Sequence, residues 1–291
     1  MPETVDNLLK LNVLDSDIKN VVFYTICSSR PDLILKDKTF RRQIPIFMTG
    51  EQTLKDKWPH EDFDYEFSEL GFRDVDLPES VDLAAFGCSY TFGVGLPIKR
   101  TWHKLLADKH NLTSYNFGQP GASIKTISDI FCIVSNNVKI KKAVILLPSY
   151  MRASVTTQSL SKSIKFYDLL PTKPSRWLQS SSNTNVFDIL HDMYYKYTPD
   201  AEFIRKMKDD VYMIEYMAKN KNIELFISSW DRPTYDLLKV MEFKHAKLID
   251  EWVDPSEFNH ITNSDYARDG NHPGILHHEY WANKITGQVT T

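Results

Sequence analysis

Three residues of this chain stand in contexts that suit nucleophilic catalysis. Ser89 lies in Leu83-Ala84-Ala85-Phe86-Gly87-Cys88-Ser89-Tyr90-Thr91-Phe92-Gly93-Val94-Gly95, where a short apolar run meets a glycine and a small, glycine-punctuated turn follows. Asp269 and His272 lie in Asp269-Gly270-Asn271-His272-Pro273. A serine hydroxyl is a weak nucleophile until a base within hydrogen-bond reach takes its proton and a third group orients that base. The spacing of Asp269 and His272 lets a turn bring the carboxylate onto one imidazole nitrogen and leave the other facing Ser89. That fixes the tautomer and balances the positive charge developing on the ring. Taken singly, each segment also has a plainer reading: Ser89 capping a turn, and Asp269-Gly270 as a turn beside a surface histidine.

The elements that must position these residues alternate between strand and helix. Leu83-Ala84-Ala85-Phe86 reads as a strand buried on both faces, with Gly87 letting the backbone turn. A helix is expected near 100–110, a short strand at Tyr115-Asn116-Phe117-Gly118, and a loop at Gln119-Pro120-Gly121-Ala122-Ser123. Ser123 suits the cap of a helix whose buried face is Ile124, Ile127, Ile130, Phe131 and Val134. Ala143-Val144-Ile145-Leu146-Leu147 is the third strand, closed by Pro148. Thr198 as cap and Pro199 at the first helical position announce a helix with Phe203, Met207, Val211, Ile214 and Met217 inward. A fourth strand is read at 224–229, a weaker fifth near 247–250, and a closing helix at 276–289. Strands alternating with helices imply a parallel sheet with right-handed crossovers, and ligands of such sheets bind outside the carboxyl ends of the strands, where Ser89 falls.

Residues 1–80 lack this alternation and are expected to form an N-terminal extension packed on the 81–291 domain. Within them Val21–Ile26 is the one strongly apolar patch, Phe63-Asp64-Tyr65-Glu66-Phe67 alternates as an edge strand would, and Leu70-Gly71-Phe72-Arg73 supplies a turn. An insertion is expected over about 150–197, Ser-rich, with helix around Val186–Tyr195, and insertions at this end of a strand often wall a substrate site. Lys139-Ile140-Lys141-Lys142 reads as a solvated helix end.

Composition excludes several classes. Among 291 residues, 42% are hydrophobic and 25% charged, ordinary for a globular chain with a sizeable core. The formal charge of -3 gives no basic face for nucleic acid. Cys27, Cys88 and Cys132 leave one thiol over in any pairing and lack metal-ligand spacing, which fits a reducing compartment. No secretory leader and no membrane-spanning run is evident, so the expectation is a cytoplasmic protein without membrane partners, with virion association left open. Its oligomeric state is not legible.

Together the segments resemble those of the SGNH hydrolases, the GDSL esterase/lipase superfamily. Phe86-Gly87-Cys88-Ser89-Tyr90-Thr91-Phe92-Gly93 is similar to the nucleophile block, with Cys88 replacing the usual aspartate. Asn116-Phe117-Gly118-Gln119-Pro120-Gly121-Ala122-Ser123 is similar to the second block, and Gly121 matches its oxyanion-hole glycine. Asp269, His272 and Pro273 match the last block. The resemblance, over about 81–285, implies a three-layer α/β/α sandwich with a mostly parallel, flavodoxin-like sheet of about five strands, and a serine esterase needing no cofactor or metal. Ser89, Asp269 and His272 would be its triad, and the Ser89 and Gly121 N–H groups its oxyanion donors. One departure matters: the family's third block carries an asparagine that donates to the oxyanion, whereas here the strand runs Leu146-Leu147-Pro148-Ser149-Tyr150-Met151-Arg152. Ser149, Tyr150 and Arg152 are the available substitutes, Arg152 the strongest donor. The expected substrate is a small-acyl ester, with an acetylated carbohydrate favoured and Tyr150 and Trp230 as stacking residues. The alternative is a non-catalytic SGNH-like binding or structural module. A metal site from Asp269, His272, His277 and His278 is disfavoured, because consecutive helical histidines diverge.

Overall fold

In the computed structural model of the chain, the described residues are Phe63, Ser68, Phe72, Arg73, 77–158, 164–169, 194–250, 265–267 and 272–289. The expectations for Val21–Ile26, for the rest of Phe63–Phe67 and for helix before residue 194 lie outside them.

The strand–helix alternation starts where the sequence changes character. Strand β1 (Ser80–Gly87) leads into a one-turn helix α1 (Ser89–Phe92), a 3-10 turn (Ile98–Arg100) and α2 (Trp102–His110). Then come β2 (Ser114–Gly118), α3 (Ile124–Asn137) and β3 (Lys139–Leu147). An antiparallel hairpin follows, β4 (Ala153–Gln158) and β5 (Ile164–Leu169), where only an irregular insertion was expected. The chain continues through α4 (Asp200–Asn220), β6 (Glu224–Ser229), α5 (Arg232–Lys239), β7 (Lys247–Leu248) and α6 (Ile275–Val289). The main sheet is five-stranded, ordered β2-β1-β3-β6-β7, and every pairing in it is parallel. This is the expected flavodoxin-like order.

Side-chain alternation along the central strands builds two cores. Ala84 and Phe86 of β1, Ala143, Ile145 and Leu147 of β3, and Leu225 and Ile227 of β6 face one side, where the apolar stripes of α3 and α4 cover them. Leu83, Ala85, Val144, Leu146 and Phe226 face the other, under Trp102 and Leu106 of α2 and Trp281 and Ile285 of α6. Burial on both faces explains why these strands read as continuous apolar runs. Ser123 caps α3 as expected, its Oγ accepting the Thr126 N–H at 3.2 Å. No helix among the described residues is long and apolar enough to cross a membrane.

Two local expectations are corrected. Lys139–Lys142 is not a helix end but the start of β3: Ile140 is buried while Lys139 and Lys141 are exposed, the period of two that a strand imposes. Lys141 reaches Asp82 at 2.5 Å, and that contact, with Thr113, lowers the Asp82 carboxyl to about 2. Pro199 is the N-cap of α4 instead of its first helical residue, and no side chain caps that helix. Helix α5 was not foreseen: Asp231 caps it by accepting the Thr234 N–H at 3.1 Å.

Two histidines sit in the fold as neutral polar groups. The His278 Nδ1 accepts the Trp102 N–H at 3.0 Å, serving an orphan donor at the start of α2, where Thr101 makes no side-chain cap. His103, the second residue of the same helix, is fully buried. Burial first, then neighbouring positive charge including Arg73, lowers both from 6.5 to about 3. An unfolded chain takes up these protons once pH falls below about 6.5, whereas the folded chain does so only near 3, so stability is lost as pH falls through that window. The melting temperature should therefore drop between about pH 7 and pH 5. The drop should be smaller in a His103→Gln, His278→Asn double variant, whatever its baseline; equal slopes would contradict this assignment.

Candidate active site

Ser89 is the first residue of α1, directly beyond the carboxyl end of β1, and is 7% exposed. The turn is held close to the strands. A Cβ built on Gly87 would lie 2.2 Å from Thr91 Oγ1 and 2.7 Å from the Leu146 carbonyl oxygen, so Gly87 serves close approach and not, as expected, a special turn conformation. On Gly118, at the end of β2, a Cβ would lie 2.4 Å from the Phe92 nitrogen. Asn116 ties the same two elements together. Its Nδ2 donates to the Thr91 carbonyl at 2.9 Å, and its Oδ1 accepts the Gly118 N–H at 2.9 Å. These bonds orient the amide, so the His103 Nε2 at 3.0 Å must accept from Nδ2, and the neutral ring carries its proton on Nδ1. At the other end of α1, the Ser89 carbonyl accepts from Gly93 N at 2.9 Å and Val94 N at 3.2 Å.

The strand ends gather further side chains around this turn. Gly121 has φ 80°, and among the described residues a Cβ there would meet nothing within 4 Å. Next to it, the Ala122 carbonyl accepts from Arg152 Nη1 at 3.2 Å. The Arg152 guanidinium also lies over the Trp230 ring, 5.2 Å from its centroid. The Trp230 indole N–H in turn donates to Cys88 Sγ at 3.1 Å. Tyr90 packs on Trp230 with ring centroids 4.7 Å apart and meets the His272 ring edge-to-face at 6.0 Å. Ser89 Oγ lies 3.9 Å from Cys88 Sγ. The structure thus collects Ser89, Arg152, Trp230 and His272 around Tyr90 and the Gly121 loop. Tyr150 begins the same loop as Arg152, its N–H donating to Thr234 Oγ1 at 2.8 Å, and its phenol is raised by burial and by the charges of Asp200 and Asp231. Tyr150 and Arg152 also line a groove of about 280 Å³ between α3 and α4. Asp210 borders that groove, its carboxyl raised to about 6 chiefly by burial.

Around His272 the backbone is closed by an Ala267 N–H to His272 carbonyl bond of 2.9 Å and an antiparallel bridge between Tyr266 and Pro273. Asp269 lies outside the described residues. An Asp–His pair that sequence reading did not single out stands nearby. Asp265 Oδ2 accepts the His277 backbone N–H at 3.0 Å and lies 2.5 Å from its Nδ1. Burial opposes ionisation of Asp265, but these bonds and the Leu276 N–H outweigh it and hold the carboxyl below its ordinary range. His277 and His278 therefore serve separate partners, one on Asp265 and the other on α2. The Gly118 and Gly121 environments give contrasting expectations. Gly121→Ala adds a methyl that meets none of the described residues and should cost only the left-handed conformation, about 1 kcal/mol. Gly118→Ala drives a methyl into backbone and should cost at least about 3 kcal/mol or prevent folding. Urea denaturation midpoints test the pair, and comparable losses would contradict the close approach of α1 to β2.

No family model and no curated protein matches the chain. Solved structures do resemble it. A member of the lipolytic protein G-D-S-L family from Veillonella parvula is 17% identical, with 72% of this chain and 98% of that one covered at a TM-score of 0.45. TesA is 10% identical, covering 70% and 95% at 0.44. The psychrotrophic esterase EstA from a Pseudoalteromonas species, in a structure inhibited by monoethylphosphonate, is 11% identical, covering 73% and 97% at 0.41.

Proposed function

We propose that the protein is a serine esterase of SGNH type, with Ser89 as nucleophile, His272 as general base and acid, and Asp269 as the group orienting His272. In this reading Ser89 Oγ attacks the ester carbonyl carbon while its proton passes to His272. The tetrahedral oxyanion is received by the Ser89 and Gly121 N–H groups and by Arg152. Collapse expels the alcohol, which takes the proton from His272, and leaves an acyl-serine. Water, deprotonated by His272, then attacks the acyl-serine; the acid departs and the proton returns to Ser89.

The observation that carries the reading is the contact of the His272 ring with Tyr90, the residue immediately after Ser89, at the carboxyl end of β1. Arg152 supports the oxyanion assignment because its guanidinium is bonded to the carbonyl adjoining Gly121. It would supply the donor that the absent third-block asparagine supplies elsewhere. The substrate in this reading is a small-acyl ester, with the acetylated alcohol of a carbohydrate favoured. Tyr150 lines the groove and is the stronger stacking residue of this reading, since the Trp230 ring already carries Tyr90 and the Arg152 guanidinium; charged side chains among the groove lining disfavour a long acyl chain. Residues 81–291 carry the chemistry and the preceding extension packs on them. The competing reading, a non-catalytic module of the same fold, is favoured by the strand end Leu147-Pro148-Ser149, which lacks an asparagine.

Hydrolysis of p-nitrophenyl acetate and acetate release from acetylated oligosaccharides separate the two. Ser89→Ala should abolish turnover, and His272→Ala should lower kcat by about 10²–10⁴-fold. Arg152→Ala should lower it by about 10²–10³-fold. His277→Ala should leave kcat within a few-fold while lowering the melting temperature. Absence of turnover of every short-chain ester by the native protein would leave the module reading standing, and loss in His277→Ala equal to that in His272→Ala would overturn the choice of base.

A further inference from the structure

Arg73 is a buried cation that the mechanism above does not use. It is 1% exposed and precedes the first strand of the α/β domain. Its Nη1 donates to the Phe92 carbonyl at 2.8 Å and to the Gly93 carbonyl, and its Nη2 donates to the Leu96 carbonyl. The guanidinium also covers the Phe92 ring, 5.2 Å from its centroid. These acceptors end and follow α1, the turn that begins at Ser89. The last carbonyls of a helical turn have no partner within it, and a planar fork of donors can serve several at once. A buried guanidinium is tolerated only where its donors are satisfied, so the clamp is specified from both sides.

Two bonds tie Ser68 to Phe72, the residue before Arg73. The Ser68 N–H donates to the Phe72 carbonyl at 2.9 Å, and the Phe72 N–H donates to Ser68 Oγ at 3.2 Å. Phe72 is fully buried in the core shared with α3 and α4, edge-on to Phe117 of β2 at 5.0 Å. Packing of Phe72 thus fixes where Arg73 enters. Gly93 fits the same account: its φ of 75° suits glycine, and a Cβ there would lie 3.1 Å from Arg73 Nη1 and 2.4 Å from Thr101 Cγ2.

We propose that Arg73 is a positioning residue, by which the N-terminal extension clamps the end of the α1 turn and so fixes Ser89 for attack. The inference rests on the reading of Ser89 as nucleophile, but the clamp itself can be measured without it. Arg73→Ala and Arg73→Lys are compared with the native full-length chain by hydrogen exchange of the peptide spanning 88–96 and by p-nitrophenyl acetate kinetics. Exchange in that peptide should rise in Arg73→Ala while the β3 and β6 peptides stay protected. Misplacement of a reacting group by about 1 Å can cost about 10²-fold, so kcat should fall by that order with KM nearly unchanged. Millimolar guanidinium should restore part of the rate. Arg73→Lys keeps the charge without the fork; it should fold, and fall between the other two.

Unchanged exchange at 88–96 in folded Arg73→Ala, or in folded Arg73→Lys where the alanine variant does not fold, overturns the clamp whatever the activity. Increased exchange with unchanged kcat overturns the positioning role. Increased exchange in a protein whose native form hydrolyses no ester upholds the clamp, defeats the esterase reading and removes the positioning role with it.

Discussion

The site depends on how closely the one-turn helix after β1 lies against the ends of β1 and β2. Gly87 and Gly118 are the points of contact, each with backbone or side-chain atoms where a methyl would stand. That approach leaves the Ser89 turn little freedom to shift relative to the Gly118–Gly121 loop, the fixed relation that the proposed esterase reading requires of Ser89 and Gly121. Asn116 adds specificity to the contact, because its amide spans α1 and β2, is oriented by those main-chain bonds, and donates to a neutral, buried His103. Were His103 charged, its Nε2 would cease to accept and the network would lose its sense.

In the proposed esterase reading, Arg152 would stand in for the third-block asparagine with different chemistry. Its guanidinium joins the Gly121 loop to Trp230, and through the indole to Cys88 beside the serine. An asparagine reaches an oxyanion as a neutral amide, whereas an arginine brings full charge and a fork of donors. In a partly desolvated site a charged donor stabilises developing negative charge more strongly, at the cost of attracting anions to the resting site.

Most of the fold was legible in the sequence because its signals are local. The Ser123 cap, the α3 and α4 stripes and the twin-faced strands each follow from spacing within a dozen residues. Helix α5 carries a readable signal, Asp231 three residues before Thr234 with Pro233 in the first turn, directly after the apolar run of β6. Lys139–Lys142 misled because charged residues mask a period of two until the buried Ile140 is seen. In the candidate site, motif singled out Ser89, Gly121 and His272 for the roles proposed above, but Arg73 was read only as part of a turn. Nothing local announces an arginine whose partners are main-chain carbonyls some twenty residues on. The Asp265–His277 pair escaped for the same reason, its members meeting only when the loop before α6 closes.

In the proposed reading Ser89, and no other serine, is the nucleophile. A fluorophosphonate reacts with an activated serine and leaves a stable phosphonyl mass on it, so peptide mapping of the modified full-length chain tests that claim directly. One adduct is expected, on the peptide containing Ser89 and absent from Ser89→Ala. An adduct on another serine, or none on the native protein, would contradict that reading.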